Sequence, residues 1–558
     1  MEWKRVIIRA RQTVDVLAVQ HRLQPLLAVA ALFLAGVVGG YRFGGWFAAC
    51  AGAVLCGVLL VLLRKKRGMA RSAVAAALFV LLGWGRAAWD LAGREREAAQ
   101  FRETEARQTF VCRVGPQVDM TPLRGAAAKF TFAAEQLSAG EGALSVRHLP
   151  TQVQWFGARQ SEETAAPRPG EVWQLAGRAT VRKGRDGLLS LTVSTGEDRS
   201  KRLAAADPDA WPVRIERARR QAVRRVAIGI EDWGVVPGLN QAMMLGCRSE
   251  IPGDMRRVFA NSGTIHVFAI SGMNIALVAG LLIVVVSALG VPRPYWVVGL
   301  APLLVFYTLA SGAQPSAIRA CLMAIIYFAA PLLGRKPSGG VALAATALIV
   351  YAQTPSLVFN IGCTLSFAVM GGLLVFCGPF CELGRKLCRI PQLRQQARLY
   401  EQAGSAAAAR RVRWVAAGLR FLVDSMAVSL AAWLASLPLT AYYFGRFTPG
   451  GFFANLVIAP CAFLVMVAGS LGLVTSGLSD SLASCFNHAA GFFTVIMIWT
   501  AEITADCPWG NFRIARWTPW LVWGWFLALA ALAVWLYARR GWQSDGLAWL
   551  EEDTDAER

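Results

Sequence analysis

Histidine is rare in this chain of 558 residues: only His21, His148, His266 and His488, spaced too widely to suggest a clustered two-metal hydrolase. No GxxxxGK[ST] run is present, which removes the phosphate-cradling loop of P-loop ATPases. The twelve cysteines form no disulfide pattern. Most lie in apolar runs, where a thiol behaves as a small hydrophobe. Cys381 and Cys388 lack the histidines or paired CxxC spacing of a zinc site. Charge is scarce too, at 16% of residues against about 25% in soluble domains. Acidic side chains are the scarcer sign, 35 against 57 Lys and Arg, for a net charge of +22. These absences predict no cofactor, no metal site and no catalytic residues.

What the chain has instead is apolar length. Hydrophobic residues make up 55%, mean hydropathy is +0.44, and several runs reach the ~18 residues needed to cross a bilayer. The fold class expected is a polytopic α-helical membrane protein with an inserted small β domain. The first apolar segment starts near Leu26 and is followed at once by two more, which argues against a cleaved leader despite Ala48 and Ala49. Basic stretches mark the cytoplasmic side: the head MEWKRVIIRAR, RKKRGMAR (Arg64 to Arg71), GRKPSG (Gly334 to Gly339), and a loop from Cys381 to Trp414 with eight Lys or Arg against two Glu. One arrangement puts them all on one side. Its crossings lie at about 26–41, 45–63, 72–90, 265–289, 296–312, 317–333, 339–353, 357–377, 415–436, 450–472, 489–505 and 519–538. That count of about twelve leaves both termini cytoplasmic and residues 91 to about 225 outside.

Residues 99 to 205 change character. TFVCRV, AAKFTFAAE, TQVQWF, EVWQLAGRATV and LLSLTV have strand lengths and are punctuated by Gly and Pro. Five short strands suit a small OB-like barrel, a shape that often binds oligonucleotides. Few aromatics interleave with its charges, so the stacking platform of single-strand binders is faint and a structural cap or a lid is the weightier reading. Next, VRIERARRQAVRRVAIGI predicts a two-faced helix. Val213, Ile215, Ala218, Ala222, Val226 and Ile230 share one face, and Arg214, Arg217, Arg219, Arg220, Arg224 and Arg225 crowd the rest. Such a helix can lie on a membrane surface or attract a polyanion, for which Arg217, Arg220, Arg224 and Arg225 are the candidates.

The stretch FAISGMNIALVAG carries polar residues where a lipid-facing helix needs none. Polar groups in hydrocarbon usually face a bundle interior or a wet path, so His266, Ser271 and Asn274 are candidates to line one, with Gly272 and Gly280 admitting a neighbouring helix. The plain alternative for each is packing glue. Three further segments repeat the theme: SGAQPSAIRACLM with Pro315 before Arg319, SLVFNIGCTLSF with Asn360, Gly362 and Thr364, and LPLTAYYFGRFTPGGFFANLVIAP with Pro438, Pro449 and Asn455. Helices broken by Pro and small residues are typical of transport sites.

Taken in order, LGCRS with FANSGTIHVFAISGMNIALVAGLL, then GAQPSAIRACLM, FNIGCTLSFA and YYFGRFTPGGFFANLVIAP, resemble the transmembrane region of the ComEC/Rec2 competence proteins over about residues 235 to 475. The β insert is similar, more weakly, to that family's N-terminal OB-like domain. The resemblance implies a multi-pass channel of the bacterial inner membrane that passes single-stranded DNA into the cytoplasm during natural transformation. It also implies a periplasmic DNA-binding receptor, a cytoplasmic helicase-like motor and a separate nuclease, since the metallo-β-lactamase-like domain of many members is not expected here. The sequence departs from the family at Cys247, where GDRS commonly has Asp, and at Asn274, where ISGLH has its histidine. Asn360 and Thr364 replace the Asp and Gln of DxGFQLSF, while His266 and Arg319 stay in register. Neutral residues at these positions weaken a proton-linked role and leave room for a passive hydrated path.

The expected domains are transmembrane helices over 1–92, the β domain over 93–210, amphipathic and membrane-surface helices over 211–262, the transmembrane channel region over 263–540 and an acidic cytoplasmic tail over 541–558. Two other functional classes fit the composition: a transporter or exporter of a small amphiphile or ion, and a non-conducting membrane scaffold. Single-stranded DNA and the lipid bilayer are the partners of the first reading.

Overall fold

A computed structural model describes residues 25–43, 67–102, 108–122, 127–139, 149–158, 167–183, 188–205, 207, 209, 211–247, 251–268, 272–508 and 510–540. The expected crossing at 45–63 and the tail at 541–558 lie outside these residues.

Among the described residues two helices precede the β domain, α1 (Pro25–Phe43) and α2 (Arg67–Arg102). They pack backbone to backbone. A Cβ on Gly36 would lie 2.0 Å from the Val80 carbonyl oxygen, and one on Gly83 would lie 2.1 Å from that of Phe33. Small residues that let helix backbones touch are the usual glue where lipid removes the hydrophobic drive to associate.

The β domain is a closed barrel. Its strands are β1 (Gln108–Pro122), β2 (Ala127–Ala139), β3 (Thr151–Ala158), β4 (Val172–Lys183) and β5 (Leu189–Gly196). They run in the order β1-β2-β3-β5-β4, and pairing of β1 with β4 shuts the ring. Only β3 and β5 run parallel. Register shifts between Arg113 and Val118 bend β1, as a bulge does, so that it serves both β2 and β4. A sixth strand, β6 (Ser200–Ala204), continues along the β4 edge after a short 3-10 turn. Alternation fills the interior: Phe110, Cys112, Phe130, Phe132, Val153, Trp155, Trp173, Leu175, Leu191 and Val193 all point inward. Both buried indoles are satisfied, Trp155 Nε1 by Ser200 Oγ and Trp173 Nε1 by Glu171 Oε2, each at 2.8 Å. Burial pushes the Cys112 thiol up to about 12.

The remaining described residues are mainly helical: α3 (Trp211–Ala227), α4 (Val236–Leu245), α5 (Gly253–Asn261), α6 (Gly272–Ala288), α7 (Trp296–Ala310), α8 (Pro315–Ala329), α9 (Gly339–Gln353), α10 (Ile361–Leu387), α11 (Ile390–Gln402), α12 (Ala406–Phe444), α13 (Gly450–Thr475), α14 (Asp480–Asp506) and α15 (Pro519–Arg540). Among the described residues, seven helices are long and apolar enough to cross a membrane, and Val29–Arg42, Gly272–Ala288 and Gly339–Gln353 are shorter apolar helices. The chain is therefore a multi-pass membrane protein with an inserted OB-like barrel.

Three expectations change. The basic stretch from Cys381 to Trp414 is helical rather than a loop: α10 runs to Leu387, α11 follows, and α12 starts at Ala406. Its Leu, Arg, Gln and Ala are strong helix formers, interrupted only at Arg389 and Gly404, both with positive φ. A bidentate pair from Arg385 to Asp424, at 2.8 and 2.7 Å, fixes α10 to α12. Pro438 does not break its helix, because α12 continues through it. The ring removes the backbone donor due to the carbonyl four residues earlier, and that carbonyl, Leu434 O, accepts Trp525 Nε1 at 3.0 Å instead. Gly280 admits no close neighbour, since a Cβ there would meet open space.

Candidate functional site: a cluster of helix breaks

Four interruptions in the apolar helices carry most of the residues singled out from sequence. The first follows α5. Gly263 has φ +77°, the Ser262 and Thr264 hydroxyls bond each other at 2.6 Å, and a 3-10 turn, Ile265–Phe268, carries His266. The His266 side chain is exposed. Ser271 lies outside the described residues, and Gly272 begins α6 with ordinary contact to Ala320.

A second break, between α12 and α13, lies directly against the first. Gly445 has φ +62°, Arg446 and Phe447 pair with Arg513 and Phe512, and Pro449 stands at the N-cap of α13. A Cβ on Gly451 would come within 3.1 Å of the Ser262 carbonyl, and one on Gly263 within 2.9 Å of Thr448 Oγ1. Arg446 Nη1 donates to Asn261 Oδ1 at 3.1 Å. Asn455, one turn into α13, is half-buried, with its Oδ1 buried and unpaired.

The third break, Ser311 to Gln314, holds Ala313 in the left-handed region at φ +48° and ends at Pro315, the first residue of α8. Proline suits that place because its missing N–H would have no helical partner there. Gly312 faces the guanidinium of Arg219, and Arg219 Nη2 also donates to Cys247 Sγ at 3.5 Å. The position where the resembled family carries Asp thus stands opposite a cation, with a thiol in place of a carboxylate.

In the fourth break a 3-10 turn, Pro355–Phe359, leads to Asn360. Asn360 Oδ1 accepts from the Cys363 N–H at 3.1 Å and so caps α10. The Thr364 hydroxyl donates back to the carbonyls of Val358 and Asn360 at 2.9 and 3.0 Å. Both side chains therefore hold the shape of the break, and Gly362 beside them offers its carbonyl to Arg319 Nη2 at 2.8 Å. Arg319 is 2% exposed. Its guanidinium carbon lies 5.8 Å from the centre of the Phe367 ring, and its Nε has no hydrogen-bond partner. Arg319 thereby ties the helix after the third break to the helix after the fourth.

The first and third breaks are tied through α4. Its terminal carbonyls, which a helix end leaves without internal partners, accept Asn274 Nδ2 (Met243 O, 2.9 Å) and the Tyr307 hydroxyl (Met244 O, 3.1 Å). Asn274 is 2% exposed, so its amide is turned to this pin.

The arginine-rich helix α3 docks on the same bundle. Ala222, Val223 and Val226 pack with Met244, Leu245, Leu277 and Met466. The buried Asn487 amide donates to the carbonyls of Arg225 and Ile228, both at 3.0 Å. The 222–226 part of its apolar edge therefore faces protein, while Arg214, Arg217, Arg220, Arg224 and Arg225 are exposed. Arg220 is partly neutralised by Glu216 at 3.0 Å.

Sequence reasoning missed a junction beneath the barrel, built from Tyr41, Asp90, Arg94 and Ser356. The available signal was an Asp and an Arg four apart at the end of an apolar run, WDLAGR. Among the described residues no group of three or more His, Cys, Asp or Glu could hold a metal ion.

The Competence protein family model matches residues 243–539. ComE operon protein 3 of Bacillus subtilis (strain 168) is 23% identical over 270 residues, covering 48% of this chain and 30% of that protein. The match thus spans less than a third of that relative's length. No solved structure matches.

Proposed function

The chain belongs to the Competence protein family, and from that premise we propose that it conducts single-stranded DNA across the bacterial inner membrane into the cytoplasm. The broken helices would form the path, and the barrel and α3 would gather the strand on the outer side. Twelve crossings with both termini cytoplasmic, and domains divided near residues 92, 210, 262 and 540, belong to this proposal. So do an outer DNA-binding receptor, a helicase-like motor and a separate nuclease. The reading is of a conduit, not of an enzyme.

The observation that carries it is α3. Five arginines stand exposed on a helix whose Ala222, Val223 and Val226 pack into the bundle. Packing thus uses part of its apolar edge, and the exposed arginines suit a polyanion, because each phosphate neutralised releases counterions. The residues proposed for the path, His266, Ser271, Asn274, Arg319, Asn360, Thr364 and Asn455, include a single cation, Arg319, while Asn274, Asn360 and Thr364 hold the backbone that shapes the path. A strand moving past them would meet few charges strong enough to trap it.

Binding of a labelled single-stranded oligonucleotide to the full chain in nanodiscs, measured across salt concentration, tests the reading. Affinity should fall linearly on a log–log plot. Replacing Arg217, Arg220, Arg224 and Arg225 by Gln should shallow the slope by about 0.7 per lost phosphate contact, least for Arg220. Absence of binding, or binding indifferent to salt, would instead support the barrel as a lid over a path for a small amphiphile or ion.

A further inference from the structure

We propose that Tyr41, Asp90 and Arg94 are positioning residues that couple the barrel to the polar break beside Arg319. A strand held by the barrel would then bear on the start of α10. What the barrel holds rests on the DNA reading above; the positioning itself does not.

Asp90 and Arg94 lie four residues apart on α2, hence on one face. Their side chains are 8% and 4% exposed, and Arg94 Nε meets Asp90 Oδ2 at 2.8 Å. A buried ion pair adds little net stability, because desolvation offsets the attraction, yet it demands defined geometry. Here that geometry reaches three other elements. Arg94 Nη1 donates to the Leu189 carbonyl at the start of β5, at 3.5 Å, and Nη2 donates to Ser356 Oγ at 2.6 Å. The Tyr41 hydroxyl of α1 donates to Asp90 Oδ2. The Tyr41 ring also meets Phe359 edge-on, with centroids 5.3 Å apart.

The turn Pro355–Phe359 is therefore gripped near both ends, Ser356 by Arg94 and Phe359 by Tyr41. Asn360, the cap of α10, is the next residue, and the Gly362 carbonyl that receives Arg319 follows two places later. Neighbouring contacts stiffen the same junction. Arg86 donates to the carbonyls of Ala352 and Gln353 at the end of α9, at 2.9 and 2.6 Å. Glu97 Oε2 accepts the Leu149 N–H beside the barrel at 2.8 Å. A displacement of β5 thus acts on Arg94, on the turn, and on the helix start that fixes Arg319. Contact is continuous at every step, and coupling along it is what hydrogen exchange reads.

Hydrogen exchange on the full chain in nanodiscs, with and without a single-stranded oligonucleotide, tests this. In the parent, the oligonucleotide should slow exchange both in the barrel strands and in residues 355–364. In Arg94→Met and Asp90→Asn, exchange at 355–364 should rise about tenfold without oligonucleotide, from loss of local protection, while α13 is unchanged. Protection by oligonucleotide should then stop at the barrel. Parent-like exchange at 355–364 in a variant with parent-like α13 would overturn the proposal. So would parent protection of the barrel that never reaches 355–364. Should Arg94→Met fail to fold, Ser356→Ala, which removes one hydroxyl, decides the same question. If the oligonucleotide protects nothing in any form, the DNA reading of the barrel fails, and the variants alone still decide the positioning.

Discussion

Replacing Arg319 by leucine should leave the protein within about 1 kcal/mol of its original stability, while DNA delivery to the cytoplasm falls at least about tenfold. The asymmetry follows from how Arg319 is held. It is buried in an apolar helix, with one carbonyl bond to Gly362 at 2.8 Å, an aromatic face at 5.8 Å and an unpaired Nε. Removing a buried charge relieves a desolvation cost of several kcal/mol per ion, which offsets the loss of a hydrogen bond from a charged group worth ~1.5–3 kcal/mol. A cation kept in an apolar helix without a carboxylate partner is the ground for expecting a functional effect. Thermal unfolding of the purified variant, set beside DNA delivery in cells, checks both halves. A large loss of stability with normal delivery would make Arg319 a brace between α8 and α10 and nothing more.

The second large effect is expected where α1 meets α2. Gly83→Leu places a side chain where backbone already stands, since even a Cβ would lie 2.1 Å from the Phe33 carbonyl oxygen. Overpacking usually costs ~1–3 kcal/mol, and an obstacle made of backbone puts this substitution at about 3 kcal/mol or beyond. The two helices would part, and the Tyr41–Asp90 bond would go with them. Gly85→Ala, two residues along and facing open space, should be neutral or stabilising by up to about 1 kcal/mol, as Gly to Ala is in helices. Limited proteolysis and thermal unfolding of the two variants separate the outcomes. Equal behaviour would contradict the close approach of these helices.

The barrel was legible because its strands alternate, so inward positions such as Phe110, Cys112, Trp173 and Leu175 announce a half-buried sheet. The edge strand Ser200–Ala204 was not, since its residues are mostly exposed and give no alternating signal. Helix breaks at Gly263, Gly312 and Gly445 could be read from Gly and Pro, but Pro438 misleads: whether a proline breaks a helix depends on a partner such as Trp525, which only packing supplies. Basic residues suggested a loop over 381–414 and concealed its helices, because charge speaks to orientation and propensity sets structure. Asn274, Asn360 and Thr364 were found as polar residues in apolar runs. That their bonds pin backbone at Met243, Cys363 and Val358 depends on contacts no local pattern encodes.

The central claim, passage of a single strand of DNA through this protein, is tested most directly by the fate of labelled DNA in cells carrying or lacking the gene. DNA outside the inner membrane is scored apart from DNA in the cytoplasm. Deletion should leave DNA protected outside and absent within. Equal cytoplasmic DNA with and without the protein would contradict the claim and turn attention to a small amphiphile or ion as the transported species.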